Sequence, residues 1–173
     1  MFRPTVSKRS LRQRTRWSVA DLDTLLRSLP EGAVELFAVV ARFEFALKEW
    51  GYCRARRDGS VEPTWLAYAD TRLDQAFFDD LAQRGLCPTL LEHPPSRQVL
   101  NGNTLGWEDC PVPTTARELL ESVHRVRNNL FHGGKSGTPD RDRDTPLVAE
   151  AIAVLREVIS HDGDLRMSFD GNY

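Results

Sequence analysis

The sequence predicts an all-α fold, a bundle of four to five helices. Apolar residues recur at alternating steps of three and four in several segments, which places them on one face of a helix. Stretches rich in proline and glycine separate these segments, and polar capping residues precede several of them. A chain of 173 residues is long enough to form one domain with its own apolar core.

The first two helices are predicted on either side of Pro30. The first begins at Ser18, a typical capping residue, and runs to Leu29. The second covers about residues 31–50 and ends at Gly51. Its core-facing residues are Leu36, Val40, Phe43, Leu47 and Trp50.

A third helical region is expected from Glu62-Pro63 to Gly85, after a basic exposed turn at residues 54–60. Its apolar face consists of Trp65, Leu66, Ala69, Leu73, Phe77 and Leu81. Residues 86–113 then read as a long Pro-rich loop with an Asn101-Gly102-Asn103 turn signal. Loops of this length are often functional, although they can contain a short helix.

The fourth helix is predicted to begin near Thr114-Thr115, because Thr115 and Glu118 have the spacing of a capping box. Its apolar residues are Ala116, Leu119, Leu120, Val123, Val126 and Leu130. The fifth is predicted to begin at Thr145-Pro146, a cap followed by proline. Its inward residues are Val148, Ala151, Ile152, Leu155, Val158 and Ile159.

The chain divides by composition into a basic, flexible arm at residues 1–17, one helical domain at residues 18–161 and a tail at residues 162–173. The arm precedes the first acidic residue and contains Arg3, Lys8, Arg9, Arg12, Arg14 and Arg16. We interpret it as a solvated tail, with an RNA-steering arm as the alternative. The tail has weak signals, typical of an extended or frayed segment.

Composition favours a cytoplasmic protein without a membrane contact. No apolar run approaches the roughly 20 residues of a membrane span, and the net charge of −2 indicates no overall basic character. Cys53, Cys87 and Cys110 are widely spaced and form no CxxC pair, so we expect reduced thiols. Neither a metal site nor a cofactor is predicted.

The most informative segment is Arg127-Asn128-Asn129-Leu130-Phe131-His132-Gly133-Gly134, at the end of the fourth helix. Arginine can hold a phosphate through a planar fork of donors, and histidine transfers protons near neutral pH. Each residue also has a simpler interpretation. Arg127 lies close to the apolar stripe, where it would form an ion pair with Glu44 on the second helix. A terminal histidine is often a helix cap.

The segment from Arg127 to His132 resembles the R-x4-6-H motif of the HEPN superfamily, and Asn128 matches the polar residue that usually follows the arginine. The resemblance covers about residues 31–160. It implies a helical, homodimeric, metal-independent endoribonuclease, acting as a toxin or phage-defence effector. His132 would transfer protons, Arg127 would stabilise charge on the phosphate, and Asn128 would position the substrate.

The resemblance also implies partners and leaves alternatives open. The expected partners are an RNA substrate, a second copy of the chain, and an antitoxin or regulatory protein. Arg125 satisfies the loose motif as well, because six residues lie between it and His132. A catalytically inactive HEPN-like module that binds RNA, a nucleotide or a protein is the second hypothesis. A purely structural bundle with a salt-bridged Arg127 is the third.

Overall fold

A computed structural model describes residues 19–131 and 141–172. The predicted arm at residues 1–17, the Ser18 cap and His132 with its glycines lie outside the described residues. Within them, the helices are α1 (Val19–Ser28), α2 (Ala33–Glu49), α3 (Trp65–Arg72), α4 (Gln75–Gln83), α5 (Pro88–Glu92), α6 (Ala116–Phe131), α7 (Arg141–His161) and α8 (Gly163–Asp170). The strands are β1 (Cys53–Ala55), β2 (Val61–Pro63), β3 (Arg97–Asn101) and β4 (Thr104–Glu108).

The fold is mostly helical, and the all-α prediction is only approximately correct. Two small antiparallel sheets accompany the helices, one formed by β1 and β2 and the other by β3 and β4. The first sheet occupies the predicted basic turn, where Glu62 on β2 accepts hydrogen bonds from Arg54 and Arg56. The described part of the chain also has more helices than the predicted four to five.

The long Pro-rich loop is more ordered than predicted. It contains α5 and the hairpin of β3 and β4, whose turn lies at the predicted Asn101-Gly102-Asn103 signal. Glu150, a buried residue of α7, accepts hydrogen bonds from the backbone N–H groups of Thr89 (3.0 Å) and Leu90 (2.8 Å) at the start of α5. This distant carboxylate satisfies donors that a short helix leaves open at its beginning.

The boundaries of three other predicted elements need correction. The third helical region is two helices, because Asp74 caps α4 by accepting from the N–H of Phe77 at 2.9 Å. The fifth helix is already helical at Arg141, so Pro146 lies inside it rather than at its start. The expected frayed tail is largely helix α8, whose N-cap is Asp162. The capping box is present in part, since the N–H of Glu118 donates to Thr115 Oγ1 at 3.2 Å.

One apolar core joins the helices from α2 to α8. The predicted faces of α2 and α6 contribute to it, since Leu36, Phe43 and Leu47 of α2 and Leu119, Leu120 and Val123 of α6 are all buried in that core. Trp50, predicted on the same face, directly follows α2; its side chain is 42% exposed and its indole N–H donates to Ser168 Oγ of α8. In the described residues, no helix has the length and apolar character needed to span a membrane.

The end of α6 meets the start of α2 and the base of the β3–β4 hairpin. The rings of Phe37 and Phe131 are in edge contact, with centroids 5.4 Å apart. The amide of Asn129 donates to the carbonyl of Ser96, just before β3, at 2.8 Å. These contacts hold the last turn of α6 against α2 and the segment before β3.

Candidate functional site

The candidate site is built around the guanidinium of Arg127, near the C-terminal end of α6. Nη2 lies 3.5 Å from Glu44 Oε1 on α2, and Nη1 donates to Asn128 Oδ1 at 2.9 Å. The side chains of Arg127 and Glu44 are only 25% and 19% exposed, so water weakens their attraction less than at an open surface. The predicted pairing of Arg127 with Glu44 is confirmed.

The Nε of Arg127 is buried and has no hydrogen-bond partner among the described residues. A buried donor without an acceptor is unfavourable. Because Nε is closed off from the surface, a bound anion would have to contact the exposed part of the Arg127 side chain. The guanidinium carbon also lies 5.9 Å from the centre of the Phe131 ring, at the range of a cation–π contact. Arg127 is therefore oriented by Glu44 and Asn128, while its Nε lacks a hydrogen-bond acceptor in the described part of the chain.

Glu44 is fixed by a second contact. Trp65, which is buried at the start of α3, donates from Nε1 to Glu44 Oε1 at 3.2 Å. The same carboxylate oxygen therefore faces both the indole and Arg127. Because the Trp65 ring is rigidly packed, edge-on to Phe43, it limits the positions that Glu44 can take.

His124 completes this group of side chains. It precedes Asn128 by one turn of α6, and its Nδ1 lies 3.5 Å from Asn128 Nδ2. Its ring packs on Trp65 with the centroids 4.9 Å apart. His124 is half-buried and belongs to the same group of side chains.

We call these side chains the arginine network: Trp65, Glu44, Arg127, Asn128 and His124. Sequence reasoning assigned Glu44, Arg127 and Asn128 to the site, and the structure brings them together. It placed Trp65 only on the apolar face of the third helical region and did not assign His124 to the site. The spacing of four residues between His124 and Asn128 was the available signal, since such pairs are neighbours on a helix. His132 follows Phe131 directly in the sequence but lies outside the described residues.

Arg125, the other arginine compatible with the motif, points to a different surface. Its Nη1 donates to the carbonyl of Pro95 at 3.3 Å, and its Nη2 lies 3.4 Å from Glu121. It therefore links α6 to the segment before the hairpin. Arg127, and not Arg125, belongs to the arginine network.

Metal ligation has no candidate in the described part of the chain. No group of three or more His, Cys, Asp or Glu side chains there is placed to hold a metal ion. A shallow cavity of about 420 Å³ lies elsewhere, lined by Thr71, Arg72, His161, Asp162, Gly163 and Asp164. Its charged groups are already paired, since Arg72 Nε donates to Asp162 at 2.8 Å and Nη2 to Asp164 at 3.1 Å.

Comparisons with protein-family models, with curated proteins and with solved structures found no match.

Proposed function

We propose that this chain is a homodimeric endoribonuclease of the HEPN type, a toxin or phage-defence effector. The observation that carries the proposal is the state of Arg127, whose side chain is oriented by Glu44 and Asn128 and is still 25% exposed. A preoriented guanidinium that a ligand can reach is suited to an anion whose charge grows in a transition state. A phosphodiester undergoing cleavage is such an anion.

The proposed reaction uses the 2′-OH of the RNA itself. His132 takes the proton of this hydroxyl, and the 2′-oxygen attacks the adjacent phosphorus. The bond from phosphorus to the 5′-oxygen breaks, and this oxygen receives a proton as it leaves. Arg127 stabilises the negative charge on the non-bridging oxygens. The products are a 2′,3′-cyclic phosphate and a 5′-hydroxyl.

A dimer answers the need for two proton-transfer groups, because the second protomer supplies its own His132. An exposed apolar stripe next to the arginine network supports this arrangement. Val34 and Phe37 of α2 are 66% and 59% exposed, and Phe37 contacts Phe131, which borders Arg127. Large apolar side chains grouped at a surface favour a protein contact. Pairing of two copies through this stripe would bring two arginine networks close together.

A second candidate is a catalytically inactive module that binds RNA, a nucleotide or a protein. The observation that favours it is the ion pair of Arg127 with Glu44, because the carboxylate neutralises part of the charge that a phosphate would use. The 25% exposure of the Arg127 side chain argues against the third hypothesis, a purely structural bundle, which requires Arg127 to be closed off from water.

The test is cleavage of a mixed single-stranded RNA pool in EDTA by the wild type, His132→Ala and His93→Ala. His93 is an exposed histidine outside the motif and serves as the matched control. We expect the wild type and His93→Ala to leave cyclic-phosphate ends and His132→Ala to leave the RNA intact. RNA that stays intact with folded wild type, yet binds to it, would favour the inactive binding module.

A further inference from the structure

His124 and Asn128 are connected by more than proximity, because hydrogen-bond chemistry fixes the direction of each contact. Arginine has only donors, so the atom of Asn128 that lies 2.9 Å from Arg127 Nη1 must be the amide oxygen. The amide nitrogen, a donor, then faces His124 Nδ1 at 3.5 Å. His124 can accept from it only if Nδ1 has a free lone pair, so the ring proton belongs on Nε2.

The orientation of Asn128 is therefore determined from both sides. If its amide were turned by 180°, one donor would face the guanidinium and the oxygen would face His124. Removing the acceptor on His124 would leave the amide nitrogen without this partner and free the side chain to rotate. The hydrogen bond that positions Arg127 Nη1 would be weakened with it.

Packing holds His124 in the position that this role requires. Its ring lies against Trp65, and Trp65 also donates to Glu44, the second group that orients Arg127. The two supports of the guanidinium, Asn128 and Glu44, are thus each fixed by a neighbour that touches the same indole. The ring contact between Trp65 and His124 therefore connects the side that supports Glu44 with the side that supports Asn128.

We propose that His124 is a positioning residue of the ribonuclease site, which orients Arg127 by accepting a hydrogen bond from the amide of Asn128. This inference rests on the proposed function and extends it to a second histidine. His124 acts through Asn128 and transfers no proton to or from the RNA. It contributes by keeping the guanidinium of Arg127 in position, because a displaced guanidinium stabilises the transition state less.

Two substitutions separate the hydrogen bond from the packing. His124→Phe keeps an aromatic ring on Trp65 and removes the Nδ1 acceptor. His124→Asn keeps an acceptor at about the position of Nδ1 and removes the ring. We expect His124→Phe to lower kcat about 10-fold with little change in KM, and His124→Asn to retain more of the activity while losing more thermal stability.

A cycle with Asn128→Ala tests whether His124 acts through that amide. The double variant His124→Phe/Asn128→Ala should be no slower than Asn128→Ala alone, since the hydrogen bond is already lost. His161→Phe is the matched control, because His161 packs on Phe77 with centroids 4.9 Å apart, away from the arginine network. Its kcat should equal that of the wild type.

The outcomes distinguish this inference from the proposed function. The inference is supported if the wild type cleaves RNA, His124→Phe lowers kcat, and the same substitution has no further effect in the Asn128→Ala background. If His124→Phe cleaves RNA as fast as the wild type, the inference is overturned and the proposed function stands. The same holds if His124→Phe and His124→Asn lose equal activity in proportion to their loss of thermal stability. A folded wild type that cleaves no RNA would remove the proposed function and this inference with it.

Discussion

At the level of single residues, Arg127 shows how a charge close to an apolar stripe is accommodated. The helical spacing placed it near the buried face of α6 and identified Glu44 as its partner, and the ion pair of 3.5 Å confirms this. The sequence did not show that Trp65 also binds Glu44, since that contact joins α2 to α3 across the core. An indole predicted only as core thus also orients a charged group.

Glu44→Gln tests the ion pair without removing the acceptor for Trp65. A glutamine oxygen can still accept the indole N–H, but the attraction for Arg127 falls to that of a neutral dipole. We expect a loss of about 1 kcal/mol in the free energy of unfolding and slower RNA cleavage, because Arg127 is less firmly oriented. Urea denaturation and single-turnover cleavage measure the two effects. A variant that cleaves faster than the wild type would show that Glu44 competes with the phosphate instead of positioning Arg127.

At the level of elements, periodicity predicted the long helices well and the breaks between them less well. Leu73, Phe77 and Leu81 continue the spacing of the third helical region across the boundary between α3 and α4. The break depends on Asp74, whose side chain caps α4. The two strands of the β3–β4 hairpin were missed, although a glycine–asparagine turn between short β-prone runs is a recognised hairpin signal. The start of α5 depends on Glu150, about 60 residues away in the sequence, which local patterns do not reveal.

The cap at Asp74 makes a prediction for the stability of α4. Asp74→Ala removes the acceptor for the N–H of Phe77 and should lower the free energy of unfolding by about 1 kcal/mol. Asp74→Asn retains an acceptor at the same place and should differ little from the wild type. Chemical denaturation of the three proteins measures the difference. If Asp74→Ala is as stable as the wild type, the Asp74 cap does not stabilise the start of α4.

At the level of the whole molecule, α8 is anchored to α3 through a buried carboxylate. Asp162 accepts from Tyr68, from Arg72 and from the N–H groups of Asp164 and Leu165. Burial opposes the charge on Asp162, but the hydrogen bonds from Arg72 and Leu165 outweigh it and lower the pKa of this carboxyl below its usual 3.8. Local sequence patterns indicate α8 only weakly, because the helix is short and its support comes from α3.

This anchor predicts a specific acid dependence of stability. Because the folded state lowers the pKa of Asp162, its contribution is present above pH 3.8 and is lost as the pH falls through the folded value. Asp162→Asn should be less stable than the wild type at neutral pH, and the difference should shrink as the pH falls below 3.8. Thermal melting across this range measures it. A constant difference at every pH would contradict the ionised anchor.

Dimerisation through the α2 stripe makes a second prediction at this scale. Phe37→Ser should shift the chain toward a monomer and slow RNA cleavage, because the proposed composite cleft takes one His132 from each copy. Leu105→Ser is the matched control, since Leu105 is 67% exposed on the β3–β4 hairpin and lies outside the stripe. Sedimentation equilibrium measures the mass of each variant. An active monomer would contradict the composite cleft, and dissociation by Leu105→Ser would place the contact on the hairpin.

The proposed role of Arg127, to supply positive charge for RNA cleavage, is tested by comparing Arg127→Ala with Arg125→Ala. Both arginines fit the motif, but only Arg127 belongs to the arginine network, while Arg125 binds Pro95 and Glu121. We expect Arg127→Ala to lower the rate of RNA cleavage about 100-fold or more, while Arg125→Ala, at a temperature where both proteins are folded, stays within a few-fold of the wild type. Full activity of Arg127→Ala, or a greater loss in Arg125→Ala, would contradict it.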